Sequence, residues 1–221
     1  SGTVYHHTVR AYRGGKDTAI SNKYDSEYWS YYDTNGVTGS AYEIEGKSDV
    51  TVEEMVNYYN TYSSISYPAD ALKEGGAATI EDLAQIFYEE ATDEGIKPEV
   101  VWCQTMLETN YLKFGGDVKI DQYNFAGLGA LGNGNPGFSF STVREGIRAQ
   151  VQHMKAYASD TITADALKHD LVDPRFQYVT KGAAKYVEIL GSNENPLGAG
   201  WATSVGYGPS IVLLLQKLHS L

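Results

Sequence analysis

The chain has 221 residues, 42% of them hydrophobic, with a formal net charge of -11 at pH 7. That is enough apolar mass for one ordinary domain, or one domain with a modest extension. An acidic balance without a cluster of Lys/Arg excludes a phosphate-tracking nucleic-acid binder and disfavours docking on anionic lipid, and no run of about 18 apolar residues reads as a membrane span.

A single cysteine, Cys103, rules out an intramolecular disulfide. With Val100, Val101 and Leu107 around it, it reads as a small buried hydrophobe rather than a reactive thiol. Eighteen tyrosines point to an aromatic-rich surface suited to sugar faces or to protein contacts. The Ser1-Gly2 start reads as the beginning of a processed or trimmed chain.

In chain order, residues 1 to about 48 are rich in Gly, Ser, Asn, Asp and Tyr and carry no helical period. They are expected to be irregular or short β structure wrapped on a neighbouring domain, and Tyr24 to Tyr32 is their most aromatic stretch. Residues 1–75 together read as an N-terminal extension and 76–221 as the main domain. Thr51-Val-Glu-Glu54 is a capping box that opens an amphipathic helix to about Tyr62, with Tyr58 and Tyr59 suited to packing on the helix face or to stacking on a sugar. Thr79-Ile-Glu-Asp82 starts a second helix to about Glu94, stopped by Gly95. Pro98 suits the first turn of a third, running to about Tyr111.

Residues 114–141 hold seven glycines and Pro136 in a short span. They predict a Gly-rich lobe, with a small β-hairpin, on a helical scaffold, and such loops tend to carry binding groups. Thr142-Val-Arg-Glu145 is another capping box, leading a long helix to about Tyr157. Weaker helices are expected around 161–168 and 180–190, and a last apolar one around 208–219. The fold class is therefore mainly α (α+β).

The third helix carries the chemistry. Val100, Val101, Gln104, Leu107, Glu108 and Tyr111 recur at spacings of three and four and share one broad face. Glu108 sits on a partly apolar stripe near a helix C-terminus, where both burial and the macrodipole disfavour a negative charge. A carboxyl with a raised pKa suits a general acid at neutral pH; a solvated surface Glu is the other reading of the same pattern.

The stretch Gln104-Thr-Met-Leu-Glu-Thr-Asn-Tyr-Leu-Lys-Phe-Gly-Gly-Asp117 resembles the catalytic helix and following loop of the β-N-acetylglucosaminidase (glucosaminidase) family of the lysozyme-like superfamily. Asn124-Phe-Ala-Gly-Leu128 is similar to the family's Asn-x-Phe-Gly-Ile motif on the cleft floor. Trp201-Ala-Thr-Ser-Val-Gly-Tyr207 is similar to its Tyr-Ala-Thr-Asp-x-x-Tyr segment, with Trp201 and Ser204 as departures. With Phe114-Gly-Gly-Asp117 and Val143-Arg-Glu-Gly-Ile147, the resemblance covers about 79–221.

It implies a lysozyme-like helical domain with Glu108 as catalytic acid and Tyr207 beside it. Gln104, Asn124, Phe125, Gly127 and Trp201 are the implied substrate-binding residues. The implied reaction is hydrolysis of the β-1,4 bond between N-acetylglucosamine and N-acetylmuramic acid by a secreted or wall-associated autolysin. It acts as a monomer on peptidoglycan glycan strands, without nucleic acid, membrane insertion, metal or organic cofactor.

A second carboxylate is less defined. Glu145 is the natural candidate, although it also completes a capping box. Asp117 and Asp121 are alternatives, with Asp117 also suited to bracing the Gly115-Gly116 turn. The substrate's own 2-acetamido carbonyl is a further route. Muramidase or lytic transglycosylase activity on the same scaffold, and an inactive wall-binding module, are the competing readings. His6-His7 lack the spacing of a helical metal site, His153 and His169 read as surface or core-edge groups, and Gly132 to Gly137 lacks the ending of a phosphate loop.

Overall fold

Three threonines turn extended backbone into helix. In α1 (Val52–Tyr62) and α3 (Ile80–Asp93), the hydroxyls of Thr51 and Thr79 accept from the amides of Glu54 and Asp82. Those carboxylates accept in return from the threonine amides, so both expected capping boxes close. Thr142 opens α5 (Val143–Ala158) by accepting from the Glu145 amide at 3.0 Å. A one-turn α2 (Ala69–Leu72) lies between the first two, α4 (Pro98–Thr109) starts on its proline, and α6 (Tyr207–His219) closes the chain. The structure, a computed structural model, describes residues 41–221, so the expectations for Tyr24 to Tyr32 and for His6-His7 lie outside the described residues.

The architecture is mainly helical, as expected, and α4 is its axis. Every residue from Pro98 to Met106 is buried, and α1, α3, α5 and α6 all pack on it. The sequence pattern suggested one apolar face; instead the helix is enclosed on all sides, so its polar residues Glu99, Gln104 and Thr105 must find partners inside. Cys103 is buried there, and burial pushes its thiol pKa up. Trp102 donates its indole N–H to the Met55 carbonyl at 3.1 Å, tying α4 to α1, and Tyr58 and Tyr59 join the same core. From Trp102 a line of aromatic contacts runs outward through Phe87 (5.4 Å), Phe125 (6.0 Å) and Phe114 (6.2 Å).

Residues 41–46 lie extended along this body. Ile44 is fully buried, and isolated bridges join Glu43 to Tyr186 and Glu45 to Ile96. Two expected helices are replaced by single 3-10 turns, Ala164–Ala166 and Val187–Ile189. The second fails as a helix because tertiary bonds take its backbone. The amides of Gly182 and Ala184 donate to Ala156 and Tyr157, and Asn195 donates to the carbonyls of Ala183 and Ile189. The Gly-rich stretch carries one antiparallel bridge, Gly132 to Asn135, with no extended strand among the described residues.

Two constraints fix α5 against the rest. A Cβ at Gly146 would fall 1.7 Å from the Tyr123 carbonyl oxygen, so only glycine allows the helix to rest on that turn. On the opposite side, the buried Glu90 of α3 accepts from Arg144 and Arg148 at 2.9 Å. Burial alone would raise the Glu90 pKa, but the hydrogen bonds from the two guanidinium groups outweigh it and hold the carboxyl below its ordinary value. A depressed native pKa contributes stability above the unfolded value and loses it as pH falls through the native one. Stability should therefore drop on acidification below about 4.5. Glu90→Gln should cost about 2 kcal/mol at pH 7 and flatten that drop, as measured by urea unfolding across pH; the partial exposure of both arginines keeps the loss below that of a sealed pair.

Candidate active site

The helix that carries Glu108 ends abruptly. Asn110, Tyr111, Leu112 and Phe114 all have positive φ, between 50° and 64°. Left-handed backbone at non-glycine residues costs on the order of 1–3 kcal/mol each, so the turn needs support. Thr109 supplies part of it: its hydroxyl donates to the Thr105 carbonyl at 2.7 Å and accepts from the Leu112 amide at 2.9 Å. The amides of Tyr111 and Phe114 donate to Met106 and Thr109, and the hydroxyls of Tyr111 and Tyr58 pair at 2.9 Å. The α4 helix stops one residue past Glu108, and its carboxylate faces outward.

It faces a groove of about 640 Å³ lined by Glu108, Phe114, Asp117, Gly127, Leu131 and Trp201, among others. Glu108 is exposed to this groove, while protein crowds the remainder of its carboxyl. Burial raises its pKa, and a hydrogen bond from the Tyr207 hydroxyl to Oε1 at 2.5 Å partly opposes the rise. The helix end acts in the same direction as burial. Among the described residues the groove lining contains no Lys, Arg or His that would favour the charged carboxylate.

Behind Glu108 the polar groups form a continuous series. Tyr207 accepts from the Gln104 amide at 2.9 Å, Gln104 accepts from Gln150 at 2.9 Å, and Gln150 accepts from the Thr105 hydroxyl at 3.2 Å. Gln104, Thr105 and Gln150 are fully buried and Tyr207 nearly so. One wall of the groove is Trp201, whose indole N–H donates to the Ala126 carbonyl at 3.3 Å. Its ring is backed by His153 edge-on at 4.5 Å and by Tyr157 at 5.8 Å. His153 is itself buried and held by Asp173 at 2.8 Å, while His169 pairs with Asp93 at the surface.

Of the residues expected to touch substrate, Glu108, Gly127 and Trp201 meet in one groove, with Tyr207 directly behind the carboxyl. Gly127 adopts φ +65°, a backbone that favours glycine. Gln104 is not at the surface; its amide holds Tyr207. Asn124 and Phe125 form the floor from beneath and are almost wholly covered. The Asn124 amide is committed to the lobe, donating to the carbonyls of Leu128 and Phe138 and accepting from the Leu128 amide at 2.9 Å. Asp117 does not brace the Gly115-Gly116 turn but accepts from the Gly134 amide at 3.1 Å, across the Gly-rich lobe.

A mainly helical domain with a carboxyl opening into a groove has the general design of a lysozyme-like domain. The chain belongs to the glucosaminidase family, described as mannosyl-glycoprotein endo-beta-N-acetylglucosaminidase, which matches residues 84–220 and so takes in Glu108, Gln150 and Tyr207. A protein of Borreliella burgdorferi described as uncharacterized is 41% identical over 139 residues; the match covers 63% of this chain and 63% of that one. No solved structure matches.

Glu145 stands apart from this constellation. It is not among the groove-lining residues; its Oε2 accepts from the Ser141 amide at 2.7 Å and from the Ser141 hydroxyl. Those bonds hold its pKa below the usual value. The carboxylate thus caps the start of α5, reaching one residue further back than a standard box. Glu145→Ala should lower stability by about 1 kcal/mol, a typical capping loss, and leave kcat within about twofold of wild type when compared by unfolding and turnover on the same glycan.

Proposed function

We propose that this protein hydrolyses the β-1,4 bond between N-acetylglucosamine and N-acetylmuramic acid in peptidoglycan, cutting within glycan strands as a wall autolysin outside the cell membrane. The observation that carries the reading is Glu108: a carboxyl with a raised pKa, open to a groove that could take several sugar rings, and paired with Tyr207. Membership of the glucosaminidase family supports the same substrate class.

In this reading Glu108 donates its proton to the leaving glycosidic oxygen as the bond to the anomeric carbon breaks. Trp201 and Phe114 offer apolar faces to sugar rings, and a lining that is uncharged apart from the carboxyls of Glu108 and Asp117, among the described residues, suits a substrate whose bulk is neutral. The capping bonds of Glu145 argue against it as nucleophile or base. Asp117 is the other carboxylate among the groove-lining residues, and its bond to Gly134 suits it to holding the lobe. The substrate's 2-acetamido carbonyl is then the nucleophile at the anomeric carbon, and water completes the hydrolysis.

Digestion of purified peptidoglycan, borohydride reduction and mass spectrometry test the bond. Fragments ending in reduced N-acetylglucosamine are expected; reduced muramic acid or anhydro ends would overturn the bond assignment. Glu108→Gln should lose about 10²–10⁴-fold in fragment release, and release at the wild-type rate would exclude it as the acid.

A further inference from the structure

The series behind Glu108 has a direction set by one backbone atom. The Gln150 amide nitrogen faces the Val101 carbonyl at 3.2 Å as well as Gln104. A carbonyl only accepts, so the NH₂ of Gln150 must lie on that side and its Oε1 must take the Thr105 hydroxyl proton. Gln104 therefore meets an N–H from Gln150, must present its own Oε1 there, and is left with its NH₂ toward Tyr207. With its oxygen already accepting, the Tyr207 hydroxyl has its proton to give, and the acceptor in reach is Glu108 Oε1. The opposite arrangement, with Glu108 donating to Tyr207, strands a buried hydroxyl proton and is disfavoured about tenfold or more.

We infer that Gln150 and Gln104 are positioning residues: the carbonyl of Val101, acting through them, locks Tyr207 as a donor to Oε1 and confines the transferable proton of Glu108 to Oε2. That second oxygen lies on the groove side, 4.0 Å from where a Cβ on Gly127 would be. The proton is thereby presented toward the glycan instead of being shared with the protein interior. The inference rests on the reading of Glu108 as the general acid.

Losing Gln150 frees the Gln104 amide to turn over. Tyr207 then donates to Gln104, and the Glu108 carboxylate loses the hydrogen bond that favours its charged form. Among the described residues, the other titratable groups at this carboxyl are Tyr207 on α6, with Tyr157 of α5 near it, and Asp117 of the groove lining; the Gln150 side chain is hydrogen-bonded instead to Thr105, Val101 and Gln104.

The test is the titration of Glu108, followed by carbon-13 NMR of labelled glutamate carboxyls and assigned by the resonance that Glu108→Gln removes. Gln150→Met, which keeps side-chain length, should raise the midpoint by about half a pH unit or more. It should also move the basic limb of the pH–rate profile upward and lower kcat about tenfold, with KM little changed. A merely structural role would lower the melting temperature and leave the midpoint alone. Gln104→Met breaks the same series one link nearer if Gln150→Met does not fold, and Tyr207→Phe, which keeps the ring, sets the full size of the rise. An unchanged midpoint in any of these that folds overturns the inference while leaving Glu108 as acid. Activity retained in Glu108→Gln overturns that reading instead and leaves the titration result standing.

Discussion

One hydroxyl proton, directed from Tyr207 to Glu108, is the contact on which the site depends, and it exists because a helix is enclosed on every side. With α4 surrounded by α1, α3, α5 and α6, its buried polar residues have no access to water and must find partners inside the protein. Gln104 cannot point to solvent, so it reaches Tyr207 of α6 and Gln150 of α5. The demand that buried amides be paired thus connects three helices and terminates at the carboxyl that emerges. Stability and chemistry use the same bonds, which is why the clamp of Glu90 on Arg144 and Arg148 matters to the site: it holds the helix that presents Gln150.

The groove is built on a different principle. Its carboxyl, that of Glu108, comes from a rigid helix, but its opposite side comes from a Gly-rich lobe with almost no regular structure. That lobe is held by side chains acting as substitutes for strand pairing. Asn124 bonds across to Leu128 and Phe138, Gln122 donates to the Pro136 carbonyl at 2.8 Å, and Asp117 takes the Gly134 amide. The aromatic line from Trp102 to Phe114 anchors the floor in the core. On the proposed reading, a fixed carboxyl beside a lobe secured at a few points suits a glycan strand admitted sideways.

Much of this was legible in the residues. Thr51, Thr79 and Thr142 announce their helices because a capping threonine acts within three residues of itself, and Pro98 does the same. The position of Glu108 at the end of α4 was legible through its spacing and through the motif around it. What sequence missed is long-range. Nothing marks Gln150 on its own helix, since its partners are 45, 46 and 49 residues away. Gln104 looks like a binding group because polar side chains within a site motif suggest ligands, yet it is buried and satisfies internal donors and acceptors, while Asn124 lines the groove with its amide bonded within the lobe. The expected helix at 180–190 was lost to tertiary hydrogen bonds that no local propensity reports. The left-handed turn from Asn110 was equally hidden: the backbone there is imposed by Thr109, Met106 and Tyr58, not invited by glycine.

The most direct measurement is a crystal structure of Glu108→Gln with a peptidoglycan tetrasaccharide bound. The account predicts the glycan lying along the groove between Trp201 and the Gly-rich lobe. Its scissile glycosidic oxygen should sit about 3 Å from the terminal atom of residue 108 nearest Gly127, while Tyr207 keeps its contact to the other. A glycan bound elsewhere on the domain, or a scissile oxygen that meets a different carboxyl, would contradict it.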